Sequence, residues 1–284
     1  MFLQRFCFYK SQLPAFRVFS SFHVLPVRRS LFRNQTRNMG QSFSNSTSIT
    51  HVIFDFDGVM IDSELQYSKA MQKCLKPHGK TLTLEQKLNL MGRKKSDAIR
   101  GLLEMHNLDK VVSLAEMLNV YNSFLDNLLE DCPILPGVER LVNHLHRHKI
   151  PLAICTGSDA EEFELKTRKN LGRWLEIIPI RVLAGSDVDV KRGKPDPDPY
   201  LVTMKRFVNP PASAANCLVF EDSINGAHSA LNAGMRCILI PQKQFSCEAT
   251  ERAIADLRPR LSAVLTSMKE FCPEEFGLPA FSSE

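Results

Sequence analysis

Two pairs of acidic residues, each directly after a short apolar run, are the side chains in this sequence best suited to chemistry. Asp55 and Asp57 follow the run His-Val-Ile-Phe, and Glu221 and Asp222 follow the run Cys-Leu-Val-Phe. Residues i and i+2 of an extended chain project the same way, so Asp55 and Asp57 are predicted to face one crevice. Carboxylates this close predict either a shared proton or a divalent cation. Two such pairs in one crevice form the hard oxygen-donor set that suits Mg²⁺.

Two further segments offer groups that bind anions. Thr156, Gly157 and Ser158 follow a third apolar run and open a helical pattern, so they supply hydroxyls and free backbone N–H groups at a helix N-terminus. Lys194 lies in the sequence Gly-Lys-Pro-Asp-Pro, which places an ammonium group on a rigid turn before another helix. A cation site, a lysine and a helix N-terminus in one crevice all favour a phosphoryl group as the reacting species.

The elements that must position these groups follow from the hydrophobic pattern. Five short β-type runs recur, and most are continuously apolar rather than alternating, which is typical of strands buried on both faces of a parallel sheet. Helical patterns separate them and predict a doubly wound parallel α/β sheet, a Rossmann-like core. The predicted strands are 51–54, 150–155, 180–183, 217–220 and 236–240, and the predicted helices are 139–148, 159–171, 199–207 and 223–233.

One interval is too long for a simple crossover. About 95 residues separate the first two predicted strands, and apolar residues recur there at helical spacing. The sequence therefore predicts an inserted helical cap domain. The expected organisation is a leader at 1–48, a catalytic core formed by 49–65 and 134–284, and a helical cap at 66–133.

The net charge of +5 over 284 residues is concentrated near the start of the chain. Residues 1–50 contain seven Lys and Arg and no acidic residue, which leaves 29 of the 36 basic residues against all 31 acidic ones. An acid-free leader rich in Arg, Ser and Phe is typical of a mitochondrial transit peptide, and a disordered leader is the alternative. The expected location is mitochondrial if the leader is functional, and cytoplasmic otherwise.

Composition also excludes several classes of protein. The part of the chain after the leader carries no basic excess, so a nucleic-acid partner is not expected. No run approaches the roughly 20 apolar residues of a membrane span. The eight cysteines include no C-x-x-C pair, which argues against a disulfide scaffold or a zinc ribbon. The expected partner is a small phosphorylated metabolite, and a monomer is favoured.

The four segments, in this order and each after a predicted strand, resemble the four motifs of the haloacid dehalogenase superfamily, in its branch with a helical cap. The resemblance covers about residues 50–245. Segments 91–95, 193–198, 218–222 and 272–279 are further similar to segments of pseudouridine-5′-phosphatases. The resemblance implies a Mg²⁺-dependent phosphomonoester hydrolase that acts on pseudouridine 5′-phosphate or a similar small phosphorylated metabolite.

The resemblance also implies a role for each residue of the motifs. Asp55 would be the nucleophile that forms an aspartyl-phosphate, and Asp57 would be the general acid and base. Thr156 would donate a hydrogen bond to an oxygen of the phosphoryl group that is transferred, and Lys194 would offset the negative charge of that group. Together with Gly157 and Ser158, these two would form the phosphate site. Mg²⁺ would be held by the Asp55 carboxylate, the Asp57 carbonyl and Asp222, with Glu221 ligating directly or through water.

Substrate choice is expected in the cap, where Gly92, Arg93, Lys94 and Lys95 form a glycine followed by three cations. The alternative interpretation of this segment is a solvated basic turn. Two other functions stay open beside the phosphatase. One is a sugar phosphomutase of the β-phosphoglucomutase type, in which a second hydroxyl rather than water accepts the phosphoryl group. The other is a non-catalytic module that binds phosphorylated metabolites.

Overall fold

Parallel strands form the central sheet of the computed structural model, which describes residues 48–126, 128–130, 132–169 and 175–282. The predicted leader lies outside these residues apart from Ser48. The strands found in the described residues are β1 (His51–Phe54), β2 (Leu152–Thr156), β3 (Ile180–Leu183), β4 (Cys217–Glu221), β5 (Arg236–Leu239) and β6 (Ala263–Val264). In the sheet, β1 lies at the centre between β2 and β4, and the order is β3-β2-β1-β4-β5-β6, all parallel.

A helical unit is inserted between β1 and the next helix of the core. Its helices, within the described residues, are α1 (Glu64–Leu75), α2 (Leu84–Leu90), α3 (Lys95–Met105) and α4 (Leu114–Leu125). Thr83 and Ser113 each form a capping box at the start of α2 and α4, which satisfies backbone N–H groups that a helix start leaves free. The inserted helices agree with the expected cap, whose boundaries at 66 and 133 stay a prediction.

Helices cover both faces of the sheet and complete the core. Phe54 and Phe220 stack on one face of the sheet with their ring centroids 5.2 Å apart, whereas Ile53 and Val219 lie on the other face. Strands covered on both sides have apolar residues at most positions, which is why most of them appear as continuous apolar runs. The doubly wound fold is confirmed. The face that holds Phe54 is covered by α5 (Val138–Arg147) and α6 (Ala160–Thr167), and the other face is covered by α7 (Asp198–Lys205), α8 (Ile224–Asn232) and α9 (Glu248–Leu257).

The C-terminal part of the chain holds the elements that the sequence pattern did not predict. Strand β6 has two residues, too few for a periodic signal, and α9 precedes it. Beyond them, Phe271 packs edge-on against Phe220 at 4.9 Å, and Phe276 packs against Phe271 at 5.2 Å. The tail at 272–279 therefore contributes to the core on the face of the sheet that holds Phe220. No helix among the described residues combines the length and the apolar character needed to cross a membrane.

Candidate active site

The predicted motif residues meet at the carboxyl edge of the three central strands. Asp55 directly follows β1, while Thr156 ends β2 and Glu221 ends β4. Lys194 comes from the loop before α7, and all four side chains are buried. In parallel α/β sheets this edge is where ligands bind, because the strand order reverses about the first strand there. The fold therefore brings the four segments into one place.

Lys194 links two of the acidic residues. Its ammonium donates hydrogen bonds to Asp55 Oδ1 at 2.8 Å, to Glu221 Oε1 at 2.6 Å and to the carbonyl of Cys155 at 3.2 Å. Tyr200 donates a further hydrogen bond to Glu221 Oε1. Burial alone would lower the pKa of Lys194, but the attraction of Asp55 and Glu221 outweighs burial and raises it. Lys194 is therefore a fixed positive charge beside Asp55.

Asp55, Glu221 and Asp222 form a compact cluster in which one oxygen from each lies within 4.8 Å of the others. Burial raises the pKa of Asp55 to about 8, against the lowering effect of Lys194. Burial, followed by repulsion from Glu64, Asp55 and Glu221, raises the pKa of Asp222 well above its usual value. Asp222 Oδ2 is buried and has no hydrogen-bond partner among the described residues. A divalent cation would both bind this oxygen and relieve the repulsion, so the cluster fits Mg²⁺.

Gly58 makes the close approach of this cluster possible. Its φ of 76° is in the left-handed region, and a Cβ at this position would lie 2.0 Å from Asp222 Oδ2. Any larger residue would therefore strain the backbone and displace the Asp222 carboxylate.

The Asp57 side chain belongs to a second network. Its Oδ1 accepts hydrogen bonds from Ser63 at 2.5 Å and from Lys166 at 2.7 Å. Its Oδ2 accepts from Thr156 at 3.1 Å, from Ser158 at 2.8 Å and from Lys166 at 2.7 Å. Burial would raise the pKa of Asp57, but the Lys166 charge and these hydrogen bonds outweigh it and lower the pKa. Asp57 is thus an ionised carboxylate held apart from the Asp222 cluster.

Lys166 is a residue of the site that the sequence analysis missed. It lies on α6, 109 residues from Asp57, and is 1% exposed. Besides Asp57, its ammonium contacts the Ser158 hydroxyl at 2.6 Å and the Tyr67 hydroxyl at 2.9 Å. The sequence offers one signal, because Lys166 falls three residues after the apolar Phe163 and such residues share a helix face. A lysine at such a position requires a buried partner.

The cap segment, residues 91–95, lies directly against the core. A Cβ on Gly157 would be 2.6 Å from the carbonyl oxygen of Arg93, and a Cβ on Gly92 would be 2.4 Å from the Ser223 hydroxyl. Asn225 donates a hydrogen bond to the carbonyl of Met91 at 2.8 Å. The segment predicted to contact substrate thus covers the ends of β2 and β4.

The three cations of this segment have different environments. Arg93 lines the same cleft as Asp55, and its Nε is buried with no hydrogen-bond partner among the described residues. Lys95 also lines the cleft and forms an ion pair with Asp159 at 2.6 Å. Lys94 points elsewhere, because its ammonium donates to the carbonyl of Val190 at 2.8 Å. The structure brings Arg93 and Lys95 to the site and leaves Lys94 outside it.

The rest of the cleft wall combines charged, aromatic and apolar side chains. Glu64 and Lys87 form a buried ion pair at 2.5 Å, and Tyr67 and Tyr121 lie in the same wall. The cavity measures about 60 Å³, well below the ~300 Å³ at the low end for small-molecule sites. A leaving group of nucleoside size would therefore need a wider cleft than this one.

Replacement of Gly157 by Ala should test this contact. The new methyl group would meet the Arg93 carbonyl, a backbone atom that cannot give way without moving the cap segment. We expect kcat/KM for hydrolysis of a phosphate ester to fall about 10- to 100-fold, because a displacement of the cap segment by about 1 Å can cost that much. Steady-state kinetics would measure it. Mg²⁺ binding, followed by calorimetry, should stay as in the wild type, and a wild-type kcat/KM would contradict the prediction.

Comparisons with known proteins agree with this geometry. A family model described as haloacid dehalogenase-like hydrolase matches residues 52–240. A Drosophila melanogaster protein named probable pseudouridine-5′-phosphatase is 37% identical over 234 residues, which are 82% of this chain and 96% of that protein. An Arabidopsis thaliana protein named (DL)-glycerol-3-phosphatase 1, mitochondrial, is 35% identical over 277 residues, which are 94% of this chain and 90% of that protein.

A solved structure shows the same fold. The crystal structure of β-phosphoglucomutase from Clostridium difficile superposes on this chain with a TM-score of 0.63 at 21% sequence identity. The match covers 81% of this chain and 96% of the chain in that structure. At that identity the likeness concerns the fold alone. The family match includes all four motif segments, and the resemblance found in the sequence is confirmed. The chain is a phosphatase that belongs to the haloacid dehalogenase-like hydrolase family.

Proposed function

We propose that this phosphatase hydrolyses a small phosphate ester in two steps through a phosphoryl group carried on Asp55. The observation that supports this most is the separation of the two aspartates. Asp55 lies beside Lys194 and the carboxylate cluster, whereas Asp57 is held two residues on by hydroxyls and Lys166. Two carboxylates in such different surroundings can take two different roles: a cation in the cluster would ionise Asp55 for attack on phosphorus, whereas Asp57 exchanges a proton.

In the first step an oxygen of Asp55 forms a bond to phosphorus while the ester oxygen leaves. Asp57, which is ionised in the free site, must take up a proton as the ester binds and then gives that proton to the leaving oxygen. In the second step Asp57 takes a proton from water, the water oxygen attacks phosphorus, and the Asp55 carboxylate and inorganic phosphate are released. Thr156, which now donates to Asp57, turns to an oxygen of the transferring group. Lys194 offsets the charge that develops there.

The carboxylate cluster is proposed to hold Mg²⁺. Asp55, Glu221 and Asp222 supply side-chain oxygens, and the Asp57 carbonyl is the further ligand that the family resemblance implies. When bound, Mg²⁺ offsets negative charge on the phosphoryl oxygens. Glu221 already accepts hydrogen bonds from Lys194 and Tyr200 at Oε1. Its Oε2, bonded only to Ser223 at 3.3 Å among the described residues, is the oxygen free to turn toward a cation.

Removal of the metal gives the most direct test of the proposed Mg²⁺ site. Chelation should abolish phosphate release, and added Mg²⁺ should restore it. Asp222→Asn should weaken Mg²⁺ binding in calorimetry by at least about tenfold, because affinity depends on the number of charged ligands. Asp189→Asn is a suitable control, since Asp189 is exposed and pairs with Arg206. Full activity after chelation, or unchanged Mg²⁺ affinity in Asp222→Asn, would contradict the assignment.

The proposed substrate class is a phosphorylated nucleoside or polyol, with pseudouridine 5′-phosphate as the first candidate. Relatives named for pseudouridine-5′-phosphate and for glycerol-3-phosphate support both types of leaving group. The cleft wall, with its tyrosines and buried ion pair beside apolar Met71 and Leu90, suits a leaving group that has polar edges and an apolar face.

A panel of phosphate esters tests the substrate class. Phosphate release would be measured with Mg²⁺ from pseudouridine 5′-phosphate, UMP, FMN, glycerol phosphates and hexose phosphates. We expect the nucleoside and glycerol esters to be preferred. Isomerisation of hexose phosphates with little phosphate release would favour the mutase alternative and contradict the proposal.

We also propose a mitochondrial location. The match to the Arabidopsis protein, whose name includes that location, covers 94% of this chain and so extends into the leader. The acid-free composition of the leader supports the same location. A fluorescent protein fused after residue 48 should enter mitochondria, and a fusion that stays in the cytoplasm would contradict this.

A further inference from the structure

Glu162 is a buried acidic residue of the cleft that the proposed mechanism does not use. It lies on α6 and is 4% exposed, yet it lines the cleft beside Arg93 and Lys95. Its Oε1 is buried and has no hydrogen-bond partner among the described residues. A buried acceptor left without a donor is costly, so such an atom in a cleft wall is a candidate for binding a ligand.

Two lysines near Glu162 attract its carboxylate but donate their hydrogen bonds to other groups. Lys95 lies 3.6 Å from Glu162 Oε1, beyond hydrogen-bond distance, and pairs with Asp159 at 2.6 Å. Lys166, one turn along α6, donates to Asp57, Tyr67 and Ser158. These charges attract the Glu162 carboxylate without satisfying Oε1 by a hydrogen bond. Burial raises the pKa of Glu162 to about 7, and both lysines lower it in part.

We propose that Glu162 Oε1 accepts a hydrogen bond from a hydroxyl group of the leaving group and thereby selects hydroxylated phosphate esters. This inference rests on the proposed function and assigns one residue to its substrate choice. A donated hydrogen bond would satisfy the free oxygen and stabilise the carboxylate form. An ester that lacks the hydroxyl would leave the buried carboxylate without a donor, and sites of this kind discriminate strongly against such analogues.

Matched substrates test the assignment. Glycerol 3-phosphate and n-propyl phosphate differ only in two hydroxyls, and ribose 5-phosphate and 2-deoxyribose 5-phosphate differ in one. The wild type should prefer the hydroxylated member of at least one pair. In Glu162→Leu, which has no acceptor, the ratio of kcat/KM within that pair should fall about 10- to 100-fold, the range expected for a hydrogen bond to a charged group. Glu162→Gln keeps an amide oxygen and should give an intermediate ratio.

Glu161→Leu provides a matched control, because Glu161 is exposed on the same helix. It should leave the ratio at the wild-type value. An equal fall for both members of each pair in the Leu and Gln variants would indicate a merely structural role and overturn the inference. So would an unchanged ratio in Glu162→Leu. In either case a wild type that hydrolyses these esters still supports the proposed function, whereas a wild type that hydrolyses none overturns both.

Discussion

Replacement of Asp55 by Asn should abolish turnover while the protein stays folded. An amide is a far weaker nucleophile than a carboxylate, and loss of a covalent nucleophile typically costs more than about 10⁴-fold in kcat. The fold should tolerate the change, because Asp55 is one of three clustered carboxylates and its own ionisation is opposed by burial. Lys194 would keep Glu221 as a partner. Phosphate release at saturating Mg²⁺ and thermal unfolding would measure the two effects.

A second measurement separates the nucleophile from a metal ligand, since Asp55 is proposed to be both. Acid quench of the wild type during turnover should trap a phosphoryl group on the peptide that contains Asp55, as detected by mass spectrometry. Asp55→Asn should give no such peptide even when calorimetry shows that Mg²⁺ is bound. Wild-type turnover by the variant, or a phosphoryl group trapped on another residue, would remove Asp55 as the nucleophile.

The strand ends of the site could be predicted from sequence because the signals there are local. A continuous apolar run followed by an acidic or hydroxyl residue identifies both a buried strand and the side chain at its end, as for β1 with Asp55 and β4 with Glu221. Parallel strands then place these ends at the same edge of the sheet. No knowledge of long-range packing was needed for this part.

The cleft wall could not be predicted in this way, because its residues lie on helices whose relative position depends on tertiary packing. Lys87 meets Glu64 across two cap helices, and Lys166 meets Asp57 from a core helix. In the cap segment, too, the sequence does not predict which single residues face the cleft. Lys94 and Lys95 are adjacent, but one precedes α3 and the other begins it, so their side chains reach opposite sides.

Lys166→Met should destabilise the protein severely and slow the reaction. The change leaves the Asp57 carboxylate buried with hydroxyl donors alone, and breaking a buried ion pair from one side costs about 3–5 kcal/mol. Asp57 would also lose the cation that fixes its position, so kcat should fall about 10²-fold or more, as expected when a general acid and base is misplaced. Denaturant unfolding and steady-state kinetics would measure both effects. Arg168→Met is the control, because Arg168 is half-exposed and its ion pairs contribute little.

A double-mutant cycle shows whether the loss of stability comes from this ion pair. Asp57→Asn alone leaves the Lys166 ammonium buried without its counterion, so this variant should also be destabilised. In the double variant Asp57→Asn with Lys166→Met, neither charge of this ion pair is left buried without the other. The double variant should therefore be more stable than Lys166→Met alone, although it remains inactive. Additive losses of stability would show that the two side chains do not depend on each other, and the account of Asp57 as a carboxylate held by Lys166 would be wrong.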